Sequence, residues 1–256
     1  MGGGRRGRPA GFSLPLTMAL AFSLMALATA IVGMVVVSDR QAKAAASDVV
    51  VRATLESAIE ASLFGLERDG EPQAREWTDR QALNGLDVEL TLQPVRYKPD
   101  INGASAATLD AAIADAGLRD RVAAAKAPAN ATDPRPQFSR FVEFAEAAGA
   151  DAADEDCLRR RLTIGRKSGE PDPAPAESAL IPPKSPLVAG EVIDVRAETH
   201  DAAGRRDVLW RRVRFIGPGG QTWLTHDWRE LRLPHADIAC PAPEPAPSIG
   251  GGPAAP

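Results

Sequence analysis

Residues 12–37 read FSLPLTMALAFSLMALATAIVGMVVV, a run of 26 residues without a charged side chain. As a helix this run is about 39 Å long, at ~1.5 Å per residue. A bilayer core about 30 Å thick requires about 20 apolar residues, so the run is long enough to cross it. Residues 1–11, MGGGRRGRPAG, carry three arginines and no acid. Because basic flanks stay in the cytoplasm, the sequence predicts a membrane-spanning helix with the bulk of the chain on the far side.

The main alternative for this run is a removable secretory signal. Such a signal has a shorter apolar region, about 7–15 residues, and a small-residue cleavage site. Ala30 and Ala46 each end a stretch of small residues after which cleavage would fit. The length of the run favours a retained anchor, and either alternative places the bulk of the chain across the membrane.

The junction between the basic leader and the apolar run is a more specific sequence signal than the run itself. Gly11 ends the leader, and Phe12 opens the run. This junction resembles the signal of type IV prepilins, in which prepilin peptidase cuts after the glycine and the new terminal residue is N-methylated. The resemblance implies cleavage between Gly11 and Phe12 and methylation of the Phe12 amine. A plain signal anchor that carries Gly-Phe by coincidence is the alternative.

The fifth residue after the implied cut is Leu16, where most pilins have glutamate. In a pilin filament that carboxylate neutralises the terminal ammonium of a neighbouring subunit, since an unpaired charge in an apolar core is costly. A subunit with Leu16 is therefore poorly suited to the repeating shaft and better suited to the tip. The K-type minor pseudopilin of type II secretion typically lacks this glutamate, and the chain resembles that family.

Composition excludes several other classes. The chain has 256 residues, a net charge of −4 and a pI of about 5.5, whereas a nucleic-acid-binding domain is typically basic. No nucleic-acid partner is therefore expected. Two cysteines are too few for a dense disulfide scaffold or a four-cysteine zinc site.

The helix is predicted to continue through residues 38–68. Apolar residues there recur three or four positions apart, which places them on one helical face. Asp69-Gly70-Glu71-Pro72 is a stop signal. The prediction is a single helix from Phe12 to about Arg68, half in the membrane and half amphipathic, as in a pilin stem. The apolar face consists of Val51, Leu55, Ile59, Leu63 and Leu66.

Residues 86–240 are predicted to form a periplasmic α+β domain, a small antiparallel sheet with an inserted helical subdomain at about 100–165. The alternation of residues 86–93 is typical of a half-buried strand. Ser105 is a candidate N-cap of a helix that ends at Gly117. The other predictions are helices at 138–148 and 154–162, a proline-rich linker at 170–186, strands at 191–199, 208–216 and 222–225, a last element that ends in residues 227–231, and a disordered tail at 241–256.

Two short motifs in this domain add to the resemblance. Asp100-Ile101-Asn102 is similar to the turn that opens the helical subdomain of K-type pseudopilins. The pair Trp228-Arg229 is similar to the end of their sheet. Together with the N-terminal signal, these motifs imply a pilin-like stem followed by an interrupted sheet.

An acidic cluster is the candidate metal site. Asp151, Asp154 and Asp156, with Glu155 between them, offer the carboxylate oxygens that calcium prefers. Several pseudopilins bind calcium, so the resemblance makes these residues candidate ligands, although an acidic helix start is the simpler explanation. A weaker alternative set is Asp194, Glu198 and Asp201. No other cofactor is expected.

The histidines and cysteines are the remaining candidates, the histidines for catalysis and the cysteines for a disulfide. His200, His226 and His235 each lie near an acid, but no metalloprotease, nucleophile-elbow, phosphate-loop or dinucleotide motif is present, so no catalytic role is expected. Cys157 and Cys240 both fall on the predicted periplasmic side, where disulfides can form. A bridge between them would contribute about 4 kcal/mol in the chain-entropy model. Two free thiols are the alternative.

The resemblance implies a non-enzymatic minor pseudopilin, retained in the inner membrane by one span, with prepilin peptidase, other minor pseudopilins and the inner-membrane secretion platform as partners. Its role would be to start or cap the periplasmic pseudopilus for protein export. One alternative is a minor pilin of a type IV pilus or DNA-uptake system. The other is a signal-anchored periplasmic enzyme or binding protein.

Overall fold

The computed structural model describes residues 13–72, 74–128, 130, 134, 136–166, 169–173, 184–201, 204–218, 222–234 and 240. The chain divides into two compact units, Met1–Val50 and Val51–Pro256. The described part of the first unit is helical throughout. The second unit contains antiparallel strands and further helices, so the chain belongs to the predicted α+β class.

A single long helix, α1, spans Ser13–Asp69. It ends as the sequence predicts, because Gly70 adopts the left-handed conformation at φ 83°. The Gly70 amide donates a 2.9 Å hydrogen bond to the Leu66 carbonyl, which satisfies one of the free carbonyls of the last turn. A Cβ at position 70 would lie 2.6 Å from the Ser185 carbonyl oxygen, so glycine is required there for space as well.

In the described part of the chain the strands form two antiparallel sheets. A two-stranded ladder pairs β1 with β4, and a five-stranded sheet has the order β2-β3-β5-β6-β7. The strand bounds are β1 Glu71–Pro72, β2 Trp77–Leu83, β3 Leu86–Pro94, β4 Lys184–Ser185, β5 Val192–His200, β6 Arg206–Phe215 and β7 Trp223–Leu233.

Strand β2 was not predicted, and the predicted domain start at residue 86 is therefore too late. The β2–β3 hairpin turns at Asn84 and Gly85, which have φ angles of 51° and 76°. Two residues with positive φ form the tight turn that matches the twist of a hairpin. Asn-Gly is the strongest sequence signal for that turn, and it was present between two apolar residues, Leu83 and Leu86.

Two further sheet predictions were wrong in detail. The sequence predicts a segment at 222–225 and a last element that ends in residues 227–231; in the structure both belong to one strand, β7, which contains a bulge at His226, because Val213 pairs with Thr225 whereas Arg212 pairs with Asp227. The proline-rich segment 170–186 was expected to be only a linker, but its last residues form β4.

The insert is defined here as residues 100–165, between β3 and β4, and its described residues contain four α-helices. A single helix was predicted from Ser105 to Ala116, but the structure has two, since Ile113 is extended and Asp115 caps a new helix by accepting the Leu118 amide. Gly117 lies inside that second helix. The bounds are α2 Ala106–Ala112, α3 Ala116–Lys126, α4 Phe141–Ala147 and α5 Ala152–Arg161.

The first core lies between the amphipathic part of α1 and one face of the sheet. The predicted apolar face of the helix is buried there, and Ile59 and Leu63 are among the least exposed residues. Burying a leucine or isoleucine side chain contributes about 1.5–3 kcal/mol relative to exposure. The sheet residues of this core are Val88, Leu90, Leu92, Ile193, Val195, Ala197, Leu209 and Val213.

The insert has a second core of its own. Phe144, Leu158 and Leu162 are fully buried in it together with residues of α2 and α3. The incoming and outgoing chains of the insert pair with each other, since the Ile101 amide donates to the Thr163 carbonyl and the Thr163 amide donates to Pro99, both at 2.9 Å. The insert is therefore closed at its base and packed independently of the first core.

Candidate functional site: the apolar segment and the α5 interface

The first candidate region is the apolar part of α1. Its residues from Met18 to Val37 are exposed, including Phe22, Leu24 and Met25. A soluble domain rarely leaves a continuous apolar surface of this size in water. By length and composition the helix is a candidate single membrane span, as predicted.

The predicted processing residues, Gly11 and Phe12, precede the first residue of α1 in the sequence, and the predicted assembly residue, Leu16, belongs to the helix. Gly11 and Phe12 fall outside the described residues, so cleavage and methylation there stay predictions. Leu16 lies in the first turns of α1. Pro15 is tolerated beside it because the first turn of a helix has no amide partners to lose.

The second candidate region is the α5 interface, formed by α5 and the sheet face opposite the first core. The two faces alternate along β5, where Ile193, Val195 and Ala197 point into the first core and the residues between them point toward α5. The side chains of the α5 interface are Ala153, Glu155, Asp156, Arg159 and Arg160 of the helix, Asp194, Arg196 and Glu198 of β5, Val208, Trp210 and Arg212 of β6, and Asp227, Arg229, Leu231 and Leu233 of β7.

One buried charge centre forms around Asp194. Its carboxylate accepts hydrogen bonds from Lys98 Nζ at 2.9 Å and from Arg212 Nε at 2.7 Å. Lys98 also donates to the Arg159 carbonyl at 2.6 Å, which ties the end of α5 to the sheet. Burial lowers the pKa of Lys98 to about 8, against the opposing attraction of Asp194. Burial alone would raise the pKa of Asp194, but the Arg212 and Lys98 cations outweigh it and hold that pKa well below its usual range.

A second charge centre forms around Asp156 of α5. Its carboxylate accepts hydrogen bonds from Arg196 Nε at 2.8 Å and from the Trp210 indole at 2.7 Å. Arg196, only 1% exposed, also pairs with Glu198. Burial opposes ionisation of Asp156, but the nearby Arg196 charge outweighs it and lowers the Asp156 pKa.

A third charge centre joins α5 to β7. Glu155 accepts from Arg159 Nε at 2.9 Å and from Arg229 Nε at 3.2 Å. Arg159 also donates to Asp227 at 2.8 Å. In the three centres each buried acid faces a cation, so the interface holds the insert in one orientation on the sheet. Perturbed buried ionisable groups can also mark catalytic sites, but these side chains are engaged with one another.

The structure does not bring the predicted calcium ligands together. Asp151 caps α5 by accepting the amides of Ala153 and Asp154 at 2.9 and 2.8 Å. Asp154 pairs with Arg121 of α3, and Asp156 belongs to the α5 interface. Among the described residues, no group of three histidine, cysteine, aspartate or glutamate side chains could hold a metal ion. The acidic stretch therefore serves as a helix start and a set of ion pairs.

The three residues of the weaker alternative calcium set are likewise engaged by different partners. Asp194 lies in its own charge centre, Glu198 pairs with Arg196 and His200, and Asp201 pairs with Arg205 at 3.2 Å. Strand alternation predicts such charges to be solvated. Asp194 and Glu198 are nevertheless buried, and the partners of Asp194, Lys98 and Arg212, come from other elements of the fold.

The cysteines are joined in the structure. Cys157 of α5 and Cys240 form a disulfide with Cα atoms 5.2 Å apart. The bridge ties the chain that follows β7 back to the insert, across a sequence separation of 83 residues. Of the two alternatives left by the sequence, the structure has the bridge.

The two described histidines lie far apart on the sheet. His200, at the end of β5, has Nε2 3.0 Å from Glu198 and pairs across the ladder with Arg206. His226 lies at the β7 bulge near the other end of β6, where burial and then the charges of Arg214 and Arg212 lower its pKa. His235 is outside the described residues. His200 and His226 therefore do not share a pocket.

No family model matches the chain, and no curated protein matches it either. The long apolar helix followed by a small sheet is compatible with a pilin-like fold.

Proposed function

We propose that this chain is a non-enzymatic minor pseudopilin of the type II secretion system, similar to the K-type component, that starts or caps the periplasmic pseudopilus. The observation that carries the proposal is the order of elements. A helix of 57 residues with an exposed apolar first half precedes an antiparallel sheet, and four helices are inserted between β3 and β4. This order matches what the resemblance implies.

In this proposal the apolar segment anchors the chain in the inner membrane before assembly. The arginines of residues 1–11 stay in the cytoplasm, and the domain that contains the sheet lies in the periplasm. The Cys157–Cys240 disulfide supports this placement, because structural disulfides persist in oxidising compartments such as the periplasm.

The absence of a carboxylate at Leu16 supports a position at the tip. A subunit at the tip has no neighbour above it whose terminal ammonium it must neutralise. Its partners are then prepilin peptidase during maturation, other minor pseudopilins along the helix, and the inner-membrane platform. The sheet and insert form the surface that faces the secretion channel.

The experiment that tests this proposal is the intact mass of the membrane-extracted full chain, made with and without co-expressed prepilin peptidase. We expect loss of residues 1–11 and addition of one methyl group to Phe12 only when the peptidase is present. Gly11→Ala should abolish both changes, and Ala10→Gly should leave them intact as a matched control. An uncut chain, or cleavage after Ala30 or Ala46 in both samples, would overturn the proposal.

A minor pilin of a type IV pilus shares the same processing. The two are separated by deleting the gene in its host and measuring export of secreted proteins against pilus-dependent motility and DNA uptake. Loss of export alone supports a pseudopilin, and loss of motility or uptake alone contradicts it.

A further inference from the structure

The chain contains two Asn-Gly pairs, Asn84-Gly85 and Asn102-Gly103, and each follows an aliphatic residue. In such a pair the backbone nitrogen of the glycine can attack the side-chain amide of the asparagine, because glycine has no Cβ to obstruct the approach. Since the two pairs have similar local sequences, they should react alike in an unfolded chain. Any difference between them in the folded chain then comes from the fold.

The fold immobilises the reacting groups of Asn102-Gly103. The side-chain nitrogen of Asn102 donates to the Phe138 carbonyl at 2.8 Å, and its side-chain oxygen accepts the Phe138 amide at 2.9 Å. The Gly103 amide, which would have to attack, donates to the Asp100 carbonyl at 3.2 Å. A Cβ at position 103 would lie 2.8 Å from the Gly169 Cα atom, so the backbone has little room to rearrange.

The same groups of Asn84-Gly85 are accessible. This pair forms the tip of the β2–β3 hairpin, and both residues are exposed. A Cβ at position 85 would meet no atom within 4 Å, and among the described residues the Gly85 amide has no hydrogen-bond acceptor. The side-chain nitrogen of Asn84 donates to the Thr54 hydroxyl at 3.0 Å. Hairpin tips open locally at little cost in free energy, so this contact does not keep the side chain from the glycine nitrogen.

We propose that Asn84 is a site of spontaneous deamidation, whereas Asn102 is protected by the fold. The Gly85 nitrogen loses its proton and bonds to Asn84 Cγ, and the side-chain nitrogen leaves as ammonia, so that a five-membered succinimide forms. Water then opens this ring. Attack of water at Cγ gives aspartate, and attack at the backbone carbonyl carbon gives isoaspartate, in which the main chain runs through the former side chain.

Either product weakens the contact between the hairpin and α1. Thr54 is fully buried on α1, and its hydroxyl accepts a proton from the Asn84 amide that a carboxylate does not have. Isoaspartate also adds one atom to the main chain of a two-residue turn, and the length of that turn sets the pairing of the two strands. Deamidation therefore loosens β2, which lies at an edge of the sheet, and leaves the insert unchanged.

The experiment is peptide mapping by mass spectrometry of the full chain, incubated in detergent micelles at mildly alkaline pH. One sample is folded, and the other is unfolded in guanidinium chloride. The mass gain that accompanies replacement of an amide by an acid is followed at both asparagines. In the folded chain we expect Asn84 to react at least tenfold faster than Asn102, and in guanidinium chloride we expect rates within twofold of each other. An unreactive Asn84 in the folded chain, or an Asn102 that reacts as fast, would overturn the proposal.

A second measurement tests the consequence for the hairpin. The deamidated protein carries one more negative charge, so ion exchange separates it from the unreacted protein, and protein-isoaspartate methyltransferase labels its isoaspartate. We expect faster amide exchange in β2 of this fraction and unchanged exchange in α4 and α5. Asn84→Asp introduces the carboxylate without lengthening the main chain, and so separates the two effects. Equal exchange of β2 in the deamidated and unreacted proteins would show that the modification leaves the hairpin in place.

The matched control is Asn84→Gly. Glycine accepts the positive φ of this turn position and has no side-chain amide to lose. The variant should keep the hairpin and gain no mass at the turn, whereas Asn102 should behave as in the wild type. If the peptide that contains the turn still gains an acid in this variant, the reaction does not occur at Asn84.

Discussion

The two faces of the sheet share the same strands but are covered by different chemistry. On one face Ile193 and Val195 pack against the amphipathic part of α1, and on the other Asp194 and Arg196 pair with charges brought by the insert. Apolar contact stabilises in proportion to the area buried. A buried ion pair with both partners present contributes little to stability. Removing one partner leaves an unpaired buried charge, which costs stability. This difference indicates that the apolar face determines stability, whereas the charged face determines the position of the insert.

Removing one acid from the charged face has the largest expected effect. Asp194→Ala leaves Lys98 and Arg212 as two buried cations without their shared carboxylate. We expect the free energy of unfolding to fall by about 4 kcal/mol, the scale for breaking one side of a buried pair. Urea unfolding of the full chain in detergent micelles, followed by tryptophan fluorescence, measures it.

The matched control is Glu89→Gln, which removes an acid from the exposed pair with Arg80 on the same sheet. Exposed pairs of this kind are worth about 0.2–1 kcal/mol. If Asp194→Ala costs no more than this control, the charged face is hydrated and the comparison of the two faces fails.

The apolar face is tested by truncating a buried residue of α1. Leu63→Ala should lower the free energy of unfolding by about 3 kcal/mol, because it removes buried area and leaves a cavity. Its neighbour Phe64 is 64% exposed, so Phe64→Ala should change stability by less than about 0.5 kcal/mol. Similar losses for the two variants would show that this part of α1 does not pack on the sheet through the predicted face.

The charged face should also make stability depend on pH. In the unfolded chain Lys98 keeps its proton up to its ordinary pKa of about 10.5, whereas in the folded chain its pKa is about 8. Between these values the unfolded state binds more protons, so stability rises with pH. We expect a gain of about 2 kcal/mol from pH 7.5 to 9.5.

The measurement is the difference in unfolding free energy between the wild type and Lys98→Met across that pH range. Subtraction removes the titration of groups common to both proteins. Arg212 still pairs with Asp194 in the variant, so the fold is retained. A difference that is flat or falls with pH would mean that Lys98 keeps its proton in the folded state.

The sequence was most informative where structure is determined locally. The spacing of Leu55, Ile59 and Leu63 identified the buried face of α1, and the alternation of residues 86–93 identified β3. Helix and strand periods depend only on neighbouring residues, so they can be predicted without knowledge of the partner.

Local patterns were less informative about the charged face. Asp194, Arg196 and Glu198 alternate with apolar residues and so indicate a solvated side, but all three are buried. Arg196 pairs with Asp156, 40 positions earlier in the chain. Such pairing depends on how the insert returns to the sheet, and no local pattern encodes that.

The break between α2 and α3 shows a different limit of prediction from sequence. Leu109, Ala112 and Ala116 fit one continuous helix, and the sequence predicts Gly117 as its stop. Instead, the side chain of Asp115 accepts the Leu118 amide at 2.6 Å and starts a second helix. An aspartate two residues before a glycine fits either interpretation, because it can lie within one helix or cap the next.

The smallest expected effect concerns Asp151, at the start of the helix that covers the charged face. Because its side chain accepts hydrogen bonds from two amides of the first turn, Asp151→Ala should cost about 1 kcal/mol of stability, whereas Asp151→Asn should cost little, since asparagine caps nearly as well.

A calcium ligand would behave differently, because an amide is a poor substitute for a carboxylate. Thermal unfolding of the three proteins with excess calcium and with a chelator distinguishes the roles. We expect the same midpoint for each protein in both conditions. A wild-type midpoint that rises with calcium, and does not rise in Asp151→Asn, would show that the acidic stretch binds the ion after all.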